Sequence, residues 1–96
     1  MTISELIREK RQDILRIART HGVNRVRLFG SVARGEARAE SDVDFLIEVS
    51  GPTTPWFPGG LVADLEELLG RRVDVIEAET LADSVRENIK RDAVPL

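Results

Sequence analysis

Two short stretches of the chain hold side chains whose types and spacing could do chemistry. The first, Leu28-Phe29-Gly30-Ser31-Val32-Ala33-Arg34-Gly35, runs from an apolar segment into a glycine, a hydroxyl and a guanidinium. The second, Ser41-Asp42-Val43-Asp44, sets two carboxylates two residues apart at the head of another apolar run. Gly30 permits a tight turn at a strand end. Ser31 then stands at the start of a short helical turn, where unpaired N–H groups and its hydroxyl suit phosphate oxygens. Arg34, one turn later, adds forked donors that match phosphate geometry; read alone, it is equally a surface arginine. Asp42 and Asp44 leave one face of a strand roughly 6–7 Å apart along the chain. Two carboxylates so placed oppose each other's ionisation unless a cation offsets the charge. Magnesium fits that need, since it takes few carboxylates and completes its shell with substrate oxygens and water. With two ions, one would activate the attacking oxygen and the other would stabilise the leaving one.

Several common motifs are excluded. Gly30 and Gly35 have the spacing of a Walker loop, but Glu36 stands where that loop needs lysine. Val32 replaces the second glycine of a dinucleotide fingerprint. An EF-hand opening at Asp42 would need glycine where Ile47 stands and glutamate where Thr53 stands. The chain has no cysteine and one histidine, His21, which excludes thiolate sites and histidine metal clusters.

Ninety-six residues, 42% apolar and 32% charged, suit one small α/β domain over residues 1–96. The net charge of −3 argues against a partner nucleic acid held through its phosphates. That average hides a split: residues 1–41 carry nine Lys/Arg against five Asp/Glu, residues 42–96 five against twelve. No run approaches a membrane span or a secretory leader, so the expectation is a cytoplasmic protein without a membrane partner.

The elements that must position these residues follow from periodicity. Residues 2–20 read as one helix opened by a Thr2/Glu5 capping box, with Ile3, Leu6, Ile7, Ile14, Ile17 and Ala18 on its core stripe. Lys10 falls inside that stripe and reads as a snorkelling stem. Strands are expected at 25–29, 43–49 and 72–76, and Leu61 to Leu69 mark a helix stopped by Gly70. Thr80 reads as the cap of a last helix bearing Leu81, Val85 and Ile89 on one face, before an extended tail at 93–96. Residues 50–60 form a proline- and glycine-rich loop, with Trp56 and Phe57 read as its anchor on the core.

The pair Gly30-Ser31-Val32-Ala33-Arg34-Gly35 and Ser41-Asp42-Val43-Asp44 resembles the signature of the DNA polymerase β-like nucleotidyltransferase superfamily. More closely, the chain resembles the minimal nucleotidyltransferases, the MNT-domain antitoxins of HEPN/MNT toxin–antitoxin systems. The likeness extends to the strand Arg72-Val73-Asp74-Val75-Ile76 and to the closing Asp92-Ala93-Val94-Pro95-Leu96. The resemblance implies a nucleotidyltransferase fold, a small mixed sheet flanked by helices, and transfer of AMP from ATP with loss of pyrophosphate. It implies that Gly30 and Ser31 hold the triphosphate, that Asp42 and Asp44 hold two Mg2+ ions, and that Asp74 is the third metal ligand and aids deprotonation of the acceptor. It further implies a hetero-oligomer with a HEPN-domain RNase toxin, silenced by adenylylation of a tyrosine hydroxyl. Two alternatives stay open: an antitoxin that neutralises by contact, and a transferase with a small-molecule acceptor. So small a chain has little room for a built-in acceptor pocket, which favours a protein acceptor.

Overall fold

The computed structural model describes residues 2–38 and 40–96. The expected first helix is two helices, α1 (Ile3–Glu9) and α2 (Arg11–Thr20), meeting at Lys10. Hydrogen bonding continues through the junction: the Lys10 amide donates to the Leu6 carbonyl and the Ile14 amide to the Lys10 carbonyl, both at 2.9 Å. What breaks is the dihedral path, because ψ of Lys10 is 8° where a helix needs about −42°. Ile3 and Ile7 of α1 and Ile14 and Ala18 of α2 still reach one core. The capping box forms as expected, with the Glu5 amide donating to Thr2 Oγ1 at 3.1 Å.

Among the described residues four strands make one mixed sheet in the order β3-β2-β1-β4: β1 (Val23–Phe29), β2 (Val43–Val49), β3 (Val73–Glu77) and β4 (Val94–Pro95). β1 runs antiparallel to β2 and β4, and β2 runs parallel to β3. A parallel pair needs a crossover. Residues 50–72 provide it and contain α4 (Gly59–Leu69), which ends at Gly70 in the left-handed region, φ 66°. A single turn, α3 (Gly30–Ala33), follows β1, and α5 (Asp83–Asp92) follows a 3-10 turn over Ala78–Thr80.

β2 has the bounds its apolar run predicts. β1 begins two residues earlier than expected, because a register irregularity between Val23 and Arg25 lets both Val23 and Val26 bury. On β2, Val43, Phe45 and Ile47 enter the core with Ile14, Ala18, Leu61 and Leu65. Full burial of each large side chain contributes about 1.5–3 kcal/mol, enough to hold the register of this strand firmly. Strand alternation then sends Asp44, Leu46 and Glu48 to the opposite face. Leu46 is buried there, outside the main core cluster.

α5 contains no buried residue, and Val85 is 45% exposed. Two expectations need correction. Thr80 does not cap the last helix: its hydroxyl donates to the Glu77 carbonyl at 2.8 Å, and Ala82 stands at the N-cap of α5. Phe57 packs on the core, whereas Trp56 is 82% exposed and anchors nothing. Among the described residues no helix is long and apolar enough to cross a membrane.

Candidate functional site

Strand register assembles the chemistry at one end of the sheet. Phe29, the last residue of β1, lies opposite Asp44, and Asp44 lies opposite Asp74 in the parallel β2–β3 pair. Asp42 immediately precedes β2. The three aspartates proposed from sequence are therefore neighbours at the edge where β1 stops and β2 and β3 begin. Asp42 and Asp44 are half-buried, and Asp74 is exposed.

Gly30 makes that approach possible. Its φ is 74°, a conformation that L side chains rarely adopt, and a Cβ there would collide with Oδ2 of Asp44 and stand 3.2 Å from its Cγ. The backbone turn and the carboxylate thus occupy adjoining space that only glycine leaves free.

The carboxylates press on one another. Burial holds the Asp44 carboxyl above the usual aspartate range, and the negative charge of Asp74, a hydrogen bond with Asp74 and the charge of Asp42 push it further; Arg34 opposes the rise. The pair Asp44/Asp74 therefore carries a site for positive charge that the chain's own cations only partly fill. Among the described residues no three His, Cys, Asp or Glu side chains stand together as a ready-made metal cage.

Ser31 is half-buried in the first turn of α3, and among the described residues its hydroxyl has no hydrogen-bond partner. Arg34 closes that turn with its amide on the Gly30 carbonyl at 3.2 Å. Its guanidinium pairs with Glu36 at 2.6 Å and is 53% exposed, a surface ion pair worth at most about 1 kcal/mol and easily exchanged for another anion. Arg34 therefore reaches the field of Asp44, but it is already engaged.

Positioning residues lay outside what the sequence offered. The Val43 amide donates to the Arg72 carbonyl at 3.0 Å, and the Arg71 guanidinium donates to the Ser41 carbonyl at 3.4 Å, so the residues before β3 hold the approach to Asp42. Glu66 of α4 accepts from the Val73 amide at 3.1 Å and fixes the start of the strand that carries Asp74. No local pattern announces these contacts, because each joins residues whose neighbourhood depends on the crossover.

The opposite end of the sheet has a different character. A hollow of about 620 Å3, lined by residues that include Leu15, Arg19, Asn24 and Pro52, contains none of the candidate site residues. The loop bearing Trp56 leaves the far end of β2, seven residues from Asp42 and thus roughly 20 Å away.

Comparison with known proteins agrees with the geometry. Residues 7–96 match the family model described as a nucleotidyltransferase domain. The "Putative protein adenylyltransferase MJ0435" of Methanocaldococcus jannaschii is 35% identical over 88 residues, covering 92% of this chain and 95% of that one. The "Protein adenylyltransferase MntA" of Thermococcus cleftensis is 36% identical over 73 residues, covering 76% and 74%. A solved structure described as a "putative minimal nucleotidyltransferase" superposes with a TM-score of 0.87 at 44% identity, covering 100% of this chain and 97% of that one. More distant structures share the fold alone. A toxin–antitoxin with AMP-PNP gives a TM-score of 0.75 at 17% identity, over 88% of this chain and 69% of its match. A tri-AMPylated Shewanella oneidensis HEPN toxin in complex with MNT antitoxin gives 0.69 at 14%, over 92% and 69%. With the sheet, the glycine turn and the facing aspartates in place, the chain belongs to the nucleotidyltransferase domain family and is an enzyme of the nucleotidyltransferase class.

Proposed function

We propose that this protein is an antitoxin that transfers AMP from ATP to a tyrosine hydroxyl of a HEPN-type RNase toxin, acting as one domain in a hetero-oligomer with it. The observation that carries the reading is the apposition of Asp44 to Asp74 beside the Gly30 turn. The adenylyltransferase names of relatives more than 30% identical support the donor, and the toxin complexes among the structural relatives support the partner.

The roles follow from position. Ser31 and the turn at Gly30 bind the triphosphate, with Arg34 exchanging Glu36 for a phosphate. Asp74, the most exposed of the three acids, takes the proton of the acceptor hydroxyl. The acceptor oxygen then forms a bond to the α-phosphorus as the bond to the pyrophosphate oxygen breaks. The donor set is all oxygen and crowded with like charge, which fits Mg2+, an ion that takes a few carboxylates and leaves the rest of its shell to substrate and water. Asp42, Asp44 and Asp74 would hold two such ions, which when bound supply charge neutralisation at the phosphates and acidify the attacking oxygen.

Intact mass of the partner after incubation with ATP and Mg2+ tests this reading. Wild-type protein should add one or more AMP groups, and the Asp42→Asn/Asp44→Asn variant none. An unchanged partner mass with the wild type would overturn the proposal. A double variant that adds no AMP yet still silences the toxin would favour neutralisation by contact.

A further inference from the structure

The basic excess of residues 1–41 is only partly matched by ion pairs with the chain's own acids. Ion pairs engage Arg16 with Asp13, Arg25 and Arg27 with Glu48, and Arg34 with Glu36. Arg8 and Arg11 are exposed, and among the described residues neither makes an ion pair or side-chain hydrogen bond. They stand three residues apart, one on each side of the α1–α2 junction at Lys10. Both rim a groove of about 300 Å3 walled by Ile7, Leu28, Val32 and Val94. Val94 is 45% exposed although it lies in the sheet. One short helix borders both places: Val32 and Ala33 of α3 line the groove, and Gly30 at its start turns against Asp44.

We infer that this groove receives an apolar, acid-flanked segment of the acceptor protein and so presents the neighbouring hydroxyl to the aspartates. The inference rests on the proposed transfer to a protein partner. Charge and shape both choose the occupant. Two unpaired guanidinium groups at an exposed rim complement carboxylates, which they can grip in a bidentate manner. The walls between them are aliphatic, and a triphosphate lodged there would lose hydration without enough donors to replace it. The occupant is held by side chains, not by an added strand. Pro95 lacks an N–H, and β4 is only two residues long, so this edge offers little backbone to pair with.

The test is steady-state transfer of AMP to the partner protein by the full chain, with ATP affinity measured in parallel. Arg8→Glu/Arg11→Glu should raise KM for the partner roughly tenfold or more, with kcat and ATP affinity near wild type. Arg8→Lys/Arg11→Lys should keep most of the affinity, and KM should rise with salt for the wild type but hardly for the reversed variant. Val94→Asp, at an exposed position, should raise KM several-fold without unfolding the chain. An unchanged KM in the charge-reversed variant would overturn the inference. So would a matching loss of affinity for tripolyphosphate, which would assign the arginines to the nucleotide. If the wild type transfers no AMP to the partner at all, it is the proposed function that fails, whatever the arginine variants do.

Discussion

Asp44 and Glu48 stand on one strand and point to one face, four residues apart, yet their surroundings are opposite. Glu48 faces cations: Arg27 reaches it at 3.0 Å and Arg25 at 3.7 Å across the β1–β2 pair. Asp44 faces acids: Asp74 across the β2–β3 pair and Asp42 just upstream, with Arg34 the opposing charge. At Glu48 the sheet satisfies a half-buried charge and gains stability. At Asp44 it accumulates charge that folding alone does not reward, and it uses a glycine in a left-handed turn to bring backbone against that carboxylate. A strand that neutralises one carboxylate so well and leaves another crowded supports the proposal that the second is kept for chemistry.

Breaking the comparison at its chemical end should have the largest effect. Asp44→Asn should lower AMP transfer roughly 10^3-fold or more, read as initial rate at saturating ATP. Gly30→Ala should come next. The new Cβ must displace the Asp44 carboxylate, so activity should fall on the order of 100-fold, and the left-handed backbone should cost about 1–2 kcal/mol in denaturant unfolding. At the structural end, Glu48→Gln should lower stability by about 1–2 kcal/mol while leaving the transfer rate within about twofold of wild type.

The smallest effect sharpens the comparison through pH. In the folded chain the Asp44 carboxyl titrates above its ordinary value. The folded state therefore holds a proton that the unfolded state releases, and that contribution is complete below about pH 4 and lost as pH rises through the raised value. In metal-free protein, Asp44→Asn should accordingly melt higher than wild type at neutral pH, with the gap closing towards pH 4. Added Mg2+ should raise the wild-type Tm and leave the variant's nearly unmoved, which differential scanning calorimetry can follow.

Much of this site was legible because its parts are local. The Gly30-Ser31 turn and the Asp42-x-Asp44 spacing are contained in single short segments, and the apolar run of β2 sets both its bounds and the face on which Asp44 emerges. What stayed hidden depends on the crossover or on competing packing. Asp74 was offered by the resemblance and not by local spacing, since it meets Asp44 only through the parallel register, and His21 finds Asp64 at 2.8 Å only because α4 returns beside the end of α2. The bend at Lys10 leaves the hydrogen-bond ladder intact, so no breaker residue advertises it. Leu81, Val85 and Ile89 have helical spacing in the sequence, but periodicity cannot report that Leu81 stands before α5 and that Val85 stays exposed.

The central claim, that the crowded carboxylate and not the paired one carries the reaction, is tested most directly by measuring AMP incorporation into the partner protein with Asp44→Asn and Glu48→Gln side by side. The account predicts transfer abolished in the first and retained in the second, with the folded fraction of both verified under the assay conditions. Retained transfer in Asp44→Asn, or its loss in a folded Glu48→Gln, would contradict it.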